Sequence, residues 1–110
     1  MKNETHPLQI RCDRDGVLWL SGEFDMAEME RFLRTATAQV DGSRQVVLDL
    51  SGLTFLDSSG IGSIVRFANF VCAKGLFLRN PSERAGAVLA MAGIDGLAGV
   101  TVAHQHPLSA

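Results

Sequence analysis

No apolar run in this sequence approaches the roughly 20 residues that cross a bilayer. The opening Met1-Lys2-Asn3-Glu4-Thr5-His6-Pro7 has no apolar signal-peptide core. The chain is therefore expected to be cytoplasmic, with no direct membrane insertion. Basic residues are also scarce: ten Lys and Arg stand against twelve Asp and Glu, for a net charge of −2. They are scattered singly, so no stripe exists to neutralise phosphates, and nucleic acid is not an expected partner. Only two cysteines occur, and neither sits in a Cys-x-x-Cys arrangement. Cys12 falls in an expected strand and Cys72 in an expected helix. Both read as small buried hydrophobes rather than as a redox pair or disulfide. Repeats, linkers and low-complexity segments are missing.

Catalytic templates are missing too. A serine hydrolase wants Gly-x-Ser-x-Gly and a histidine base, but the flanks here are Leu56-Asp57-Ser58-Ser59-Gly60. All three histidines (His6, His104, His106) lie in the terminal segments. Nothing matches the phosphate-cradling Gly-x-x-x-x-Gly-Lys-[Ser/Thr] loop. A metal-adhesion Asp-x-Ser-x-Ser loop would need a third ligand where Ile61 stands. His104 and His106 do not make a specific metal site, and no spacing demands that Asp25, Asp49 and Asp57 gather. The sequence reads as a non-enzyme that needs no metal or cofactor.

What is present is strand–helix alternation in a length suited to one domain, 1–110, with a core over about 8–102 and loose terminal segments. Leu8-Gln9-Ile10-Arg11-Cys12 alternates apolar and polar, Asp13-Arg14-Asp15-Gly16 supplies turn chemistry, and Val17-Leu18-Trp19-Leu20 follows. Together they predict a hairpin. Gly22-Glu23-Phe24-Asp25 leads into a first helix running to about 40, with Met29, Phe32, Leu33, Ala36 and Val40 on one face. Asp41-Gly42-Ser43 ends it. Residues 45–50 read as a short buried strand interrupted only by Asp49, and 51–56 as a connection. A second helix is predicted over about 58–73, with Ile61, Ile64, Val65, Ala68, Val71 and Cys72 inward. Leu76-Phe77-Leu78 is the next strand. Asn80-Pro81-Ser82-Glu83 predicts a helix start with Asn80 as cap, and Gly93 a left-handed stop. Val100-Thr101-Val102 suits a last edge strand. This pattern implies an α/β layered domain with a mostly parallel sheet after the hairpin.

Asp57-Ser58-Ser59-Gly60 stands where the buried strand has ended and the second helix begins. A serine there lies beside free backbone N–H groups and the positive end of a helix dipole, a setting that receives an anion. From the residues alone, Ser58 reads first as the helix cap. Asp57 is an alternative cap or an orienting group. Asp25 with Glu28 fits a capping-box-like start for the first helix. Gly60 and Gly62 suit close approach of a partner or of the neighbouring loop. Phe67 and Phe70 fall away from the inward stripe of the second helix, near Ser59 and Ser63. They predict an apolar docking ridge continuous with Ser58, unless a wide core or a dimer contact covers them.

Gly22-Glu23-Phe24-Asp25 and the run from Val47 through Asp49-Leu50-Ser51-Gly52-Leu53 to Asp57-Ser58-Ser59-Gly60-Ile61-Gly62 resemble the STAS domain. The similarity is closer to its bacterial anti-sigma factor antagonist branch. It extends from about 8 to 102, including Met91-Ala92-Gly93-Ile94-Asp95-Gly96-Leu97. The resemblance implies a four- to five-stranded mixed sheet with helices mainly on one face. It also implies a partner-switching regulator without cofactors. Such a protein binds an anti-sigma factor that is a serine kinase, frees the sigma factor, and is switched off by phosphorylation at Ser58, with Ser59 as a secondary candidate. A phosphatase resets it. Asp25, Asp57, Ser59, Gly60, Gly62, Ser63, Phe67 and Phe70 are the expected partner-binding residues. STAS modules also serve ATP-driven lipid transporters, by binding their nucleotide-binding subunits, and larger signalling scaffolds. Both stand as alternatives.

Overall fold

The computed structural model describes residues 6–40, 44–71 and 75–103. Its elements run β1 Gln9–Cys12, β2 Leu18–Phe24, a 3-10 turn Met26–Glu28, α1 Met29–Ala38, β3 Val46–Leu56, α2 Ser58–Phe70, β4 Leu76–Arg79, α3 Glu83–Met91, a second 3-10 turn Ile94–Gly96, and β5 Val100–Ala103. The five strands form one sheet in chain order. β1 and β2 are antiparallel, and every later pair is parallel. A parallel pair needs a crossover, and α1, α2 and α3 supply the three.

The hairpin is fixed by Asp13, whose Oδ1 accepts from the amides of Asp15 and Val17. Gly16 takes the left-handed conformation that the turn requires, φ +86°. Alternation then sorts each strand. Leu18 and Leu20 of β2, Val46, Leu48 and Leu50 of β3, Leu76 and Leu78 of β4, and Val100 of β5 are buried in one core cluster. The same cluster holds Phe32 and Ala36 of α1, Ile61, Ile64, Phe67 and Ala68 of α2, and Ala85 and Leu89 of α3. All three helices therefore lie on one face of the sheet. Phe24, Phe32 and Phe67 join β2, α1 and α2 through ring contacts of 4.8 and 5.5 Å.

Several expectations shift. β3 does not stop at Leu50 but continues through the predicted connection to Leu56. α3 begins at Glu83 with Ser82 as its cap, through a 3.1 Å bond from the Ala85 amide. Asn80 is not that cap, because its side chain is engaged by Asp49 and its backbone is left-handed, φ +56°. Gly93 is left-handed as expected, φ +72°. Half of the box at the first helix forms: Asp25 accepts from the Ala27 amide, while the Glu28 carboxylate turns to Arg31 instead of back to the cap. Cys12 is exposed rather than buried, since it ends an edge strand whose outward positions meet solvent. Cys72, His104, His106 and the Asp41-Gly42-Ser43 helix stop lie outside the described residues.

Candidate functional site

β3 reaches the site by bending. Opposite Trp19 to Ser21 of β2, β3 runs from Asp49 to Gly52, one residue more, and a second extra residue falls between Leu53 and Phe55. The first irregularity is held by Asp49, whose Oδ1 accepts from both the amide and the hydroxyl of Ser51 at 2.9 and 2.6 Å. Gly52 is required there: an ideal Cβ would sit 2.8 Å from the Ser21 Cβ. The Oδ2 of Asp49 accepts from Arg79 Nε at 2.8 Å and Asn80 Nδ2 at 3.2 Å. Asp49 is fully buried. Burial pushes its carboxyl up, but the hydrogen bonds from Ser51, Arg79 and Asn80 outweigh it and hold the group below the usual aspartate range. Sequence reasoning passed over this anchor. Its signal was a lone acid inside an apolar strand, the pattern of a buried carboxylate that must find donors.

The bend brings the ends of β2 and β3 level, with Phe24 opposite Leu56. Asp25 and Asp57 are the next residues on each strand, so the two caps stand side by side. Asp57 has extended backbone, and its Oδ1 accepts from the Gly60 amide at 3.0 Å. Asp57, not Ser58, is therefore the cap of α2. Ser58 occupies the first helical position, exposed, with no hydrogen bond to its hydroxyl among the described residues. The amides of Ser58 and Ser59 likewise have no acceptor there. The serine hydroxyl is thus solvent-accessible, spared from structural duty, and beside two open donors at the positive end of a helix.

Gly60 is where α2 touches its neighbours. A Cβ there would lie 2.6 Å from Leu56 Cδ1 and 2.8 Å from the Phe24 carbonyl oxygen, so what it admits is the close approach of the ends of β2 and β3 rather than of a loop. A Cβ on Gly62 meets nothing within 4 Å. Ser63 is buried, and its hydroxyl donates to the Ser59 carbonyl at 3.1 Å. Its role is internal, and it offers no surface to a partner.

The expected ridge of Phe67 and Phe70 is corrected. Phe67 is 0% exposed and meets Phe32 edge to face, whereas Phe70 is 61% exposed. α2 is covered on two flanks, by the sheet below and by α1 beside it, so its buried surface is wider than one stripe. Phe70 lies about 18 Å along the helix from Ser58 and does not continue a ridge from it. Another apolar surface does adjoin Ser58. It is a shallow depression of about 300 Å³ lined by Ser58, Ile61, Val88, Met91 and Ala92. Its rim residue Met91 is 88% exposed. Helical periodicity gave no hint of it, because it is formed between two helices.

The arrangement can seat an apolar side chain beside a neutral hydroxyl, or carry a phosphate on that hydroxyl. Among the described residues no group of three or more His, Cys, Asp or Glu could hold a metal ion. No described helix is long and apolar enough to cross a membrane.

The family profile described as "Mlab, STAS domain" matches residues 10–101. No curated protein matches the chain. Among solved structures, the anti-sigma factor antagonist SpoIIAA in its unphosphorylated form is similar with a TM-score of 0.68 at 19% identity, over 90% of each chain. An antisigma-factor antagonist STAS domain from Rhodobacter sphaeroides aligns at 19% identity over 76% of this chain and 94% of its own, with a TM-score of 0.49. At such identity the SpoIIAA likeness establishes the fold: a five-stranded mixed sheet with an opening hairpin and three helices. With a family profile matched over most of its length, this chain belongs to the STAS domain family.

Proposed function

We propose that this chain is an anti-sigma factor antagonist that works by partner switching at Ser58. Unmodified, it binds an anti-sigma factor serine kinase through the start of α2 and releases the sigma factor. Phosphorylation of Ser58 by that kinase dissolves the complex, and a phosphatase restores it. The observation that carries the reading is the division of labour between Asp57, which caps the helix, and Ser58, which is exposed and uncommitted. The shared fold with SpoIIAA, an anti-sigma factor antagonist with an unphosphorylated form, supports it.

The switch follows from solvation. A neutral hydroxyl beside Ile61 and Met91 is covered by a partner at little cost. A phosphoserine carries about −1.5 to −2 charges and stands next to Asp57. Covering that group with an apolar partner surface costs several kcal/mol, and each 1.4 kcal/mol is about tenfold in affinity. Asp25, Asp57, Ser59 and Gly62 frame the docking surface, and Gly60 shapes it from within; Phe70, exposed at the other end of α2, is a separate partner contact. Ser59 is the secondary acceptor.

Incubation with the candidate kinase and ATP, followed by mass spectrometry, tests the assignment. One phosphate on the peptide containing Ser58, absent in Ser58→Ala, is expected. An unmodified chain that instead binds a transporter's nucleotide-binding subunit would replace this reading with the transporter-accessory one.

A further inference from the structure

The residues that line the depression beside Ser58 differ in what chemistry can do to them. Ile61, Val88 and Ala92 carry only hydrocarbon, whereas Ser58 and Met91 each carry a heteroatom. Within this lining, therefore, only Ser58 and Met91 can have their polarity changed by a reaction at the side chain. They stand on opposite walls. Ser58 is the first residue of α2, and Met91 is the last residue of α3.

Met91 is open to attack and free of structural duty. It is 88% exposed, more than Met26 at 69%, and Met29 is half-buried. Met26 does not line the depression. α3 is anchored in the core by Ala85 and Leu89, not by Met91. Its thioether is a soft, unbranched apolar group that adapts to an apolar partner surface. A peroxide changes that character. The sulfur attacks one peroxide oxygen, the O–O bond breaks, and a sulfoxide S–O bond forms. The second oxygen takes up a proton and leaves as water, so sulfur is oxidised and the peroxide reduced. The sulfoxide is polar and accepts hydrogen bonds, and covering it with an apolar surface leaves that acceptor unsatisfied.

We propose that Met91 is a second modification site of this surface, a methionine whose oxidation by a peroxide weakens partner docking without phosphorylation of Ser58. The inference rests on the reading of the start of α2 as the kinase-docking surface. One depression then takes two inputs, a phosphate on the α2 wall and an oxygen on the α3 wall. Each places a polar group where the bound partner needs a neutral or apolar one. The two are erased by different chemistry. The phosphate is hydrolysed, whereas the sulfoxide is reduced back to the thioether by a pair of thiols, which become a disulfide and release water.

The full chain is treated with hydrogen peroxide, freed of it with catalase, and incubated with dithiothreitol. The thiol reverses sulfenic acid or disulfide at the exposed Cys12 but leaves a sulfoxide in place. Mass spectrometry should find one added oxygen on the peptide containing Met91. Calorimetric titration against the candidate kinase is run without ATP, so that Ser58 keeps its hydroxyl. The oxidised chain should bind roughly tenfold more weakly, and methionine sulfoxide reductase should restore the binding. Met91→Gln, polar and inert to peroxide, should reproduce the loss with no oxidant. In Met91→Leu the affinities before and after peroxide should be equal, whatever the starting value, whereas Met26→Leu should keep the sensitivity. Thermal melts should show the oxidised chain as folded as the parent. No oxygen on Met91, undiminished binding by the oxidised chain, a loss that persists in Met91→Leu, or a loss that comes from unfolding would overturn the proposal. An unoxidised chain that does not bind the kinase would defeat partner switching itself and this inference with it, so the unoxidised titration tells the two failures apart.

Discussion

Asp57 and Ser58 are neighbours with separate duties, and stability measurements can separate them. Removing the Asp57 carboxylate leaves the Gly60 amide without its acceptor, so Asp57→Ala should cost about 1 kcal/mol in urea unfolding. Ser58→Ala removes a hydroxyl bonded to nothing and should stay within about 0.5 kcal/mol of the parent. Equal losses would make Ser58 a cap after all. The two phenylalanines of α2 divide in the same way. Phe67→Ala should cost about 3–5 kcal/mol, as expected for an emptied core site, while Phe70→Ala should leave the unfolding midpoint almost unchanged. Asp49 governs the acid limb. Its carboxyl titrates lower when folded than when unfolded, so the folded state binds fewer protons. Its contribution is complete above the unfolded aspartate value of about pH 4 and is lost as pH falls through the lower folded value. Asp49→Asn should be less stable at neutral pH by on the order of 2 kcal/mol. Its stability should also decline less between pH 5 and 2 than that of the parent, measured by urea unfolding across that range.

At the scale of elements, the alternation of strands and helices was legible because turn residues and apolar periods agree. The length of β3 was not. Its two irregularities break strict alternation, so Ser51 to Leu56 looked like a connection when it is a strand bent by Asp49 and Ser51. The width of the buried side of α2 was hidden too, since a single helical period cannot say that α1 covers a second flank. The Asp-Ser-Ser-Gly turn was legible as a helix start, but which residue caps it depends on backbone conformation at Asp57. The glycines of that start make opposite predictions. Gly60→Ala drives a Cβ into the Phe24 carbonyl and should destabilise by about 1–3 kcal/mol. Gly62→Ala meets open space within a helix and should stabilise by up to about 1 kcal/mol. Thermal unfolding of the pair reads both signs.

The whole molecule is a one-sided layer: three helices cover one sheet face, and Ser58, the proposed phosphoacceptor, sits where β3 hands over to α2. The buried core stays intact when Ser58 changes charge, since the residue is exposed and does not cap. Far-ultraviolet circular dichroism and melting of Ser58→Asp should therefore match the parent, as the proposed switch requires if it acts through the surface rather than through unfolding. The most direct test is the affinity of the kinase for this chain, unmodified and stoichiometrically phosphorylated on Ser58, by titration calorimetry. Partner switching at Ser58 predicts at least a hundredfold weaker binding of the phosphorylated chain, with both forms equally folded. Equal affinity for the two forms would contradict it.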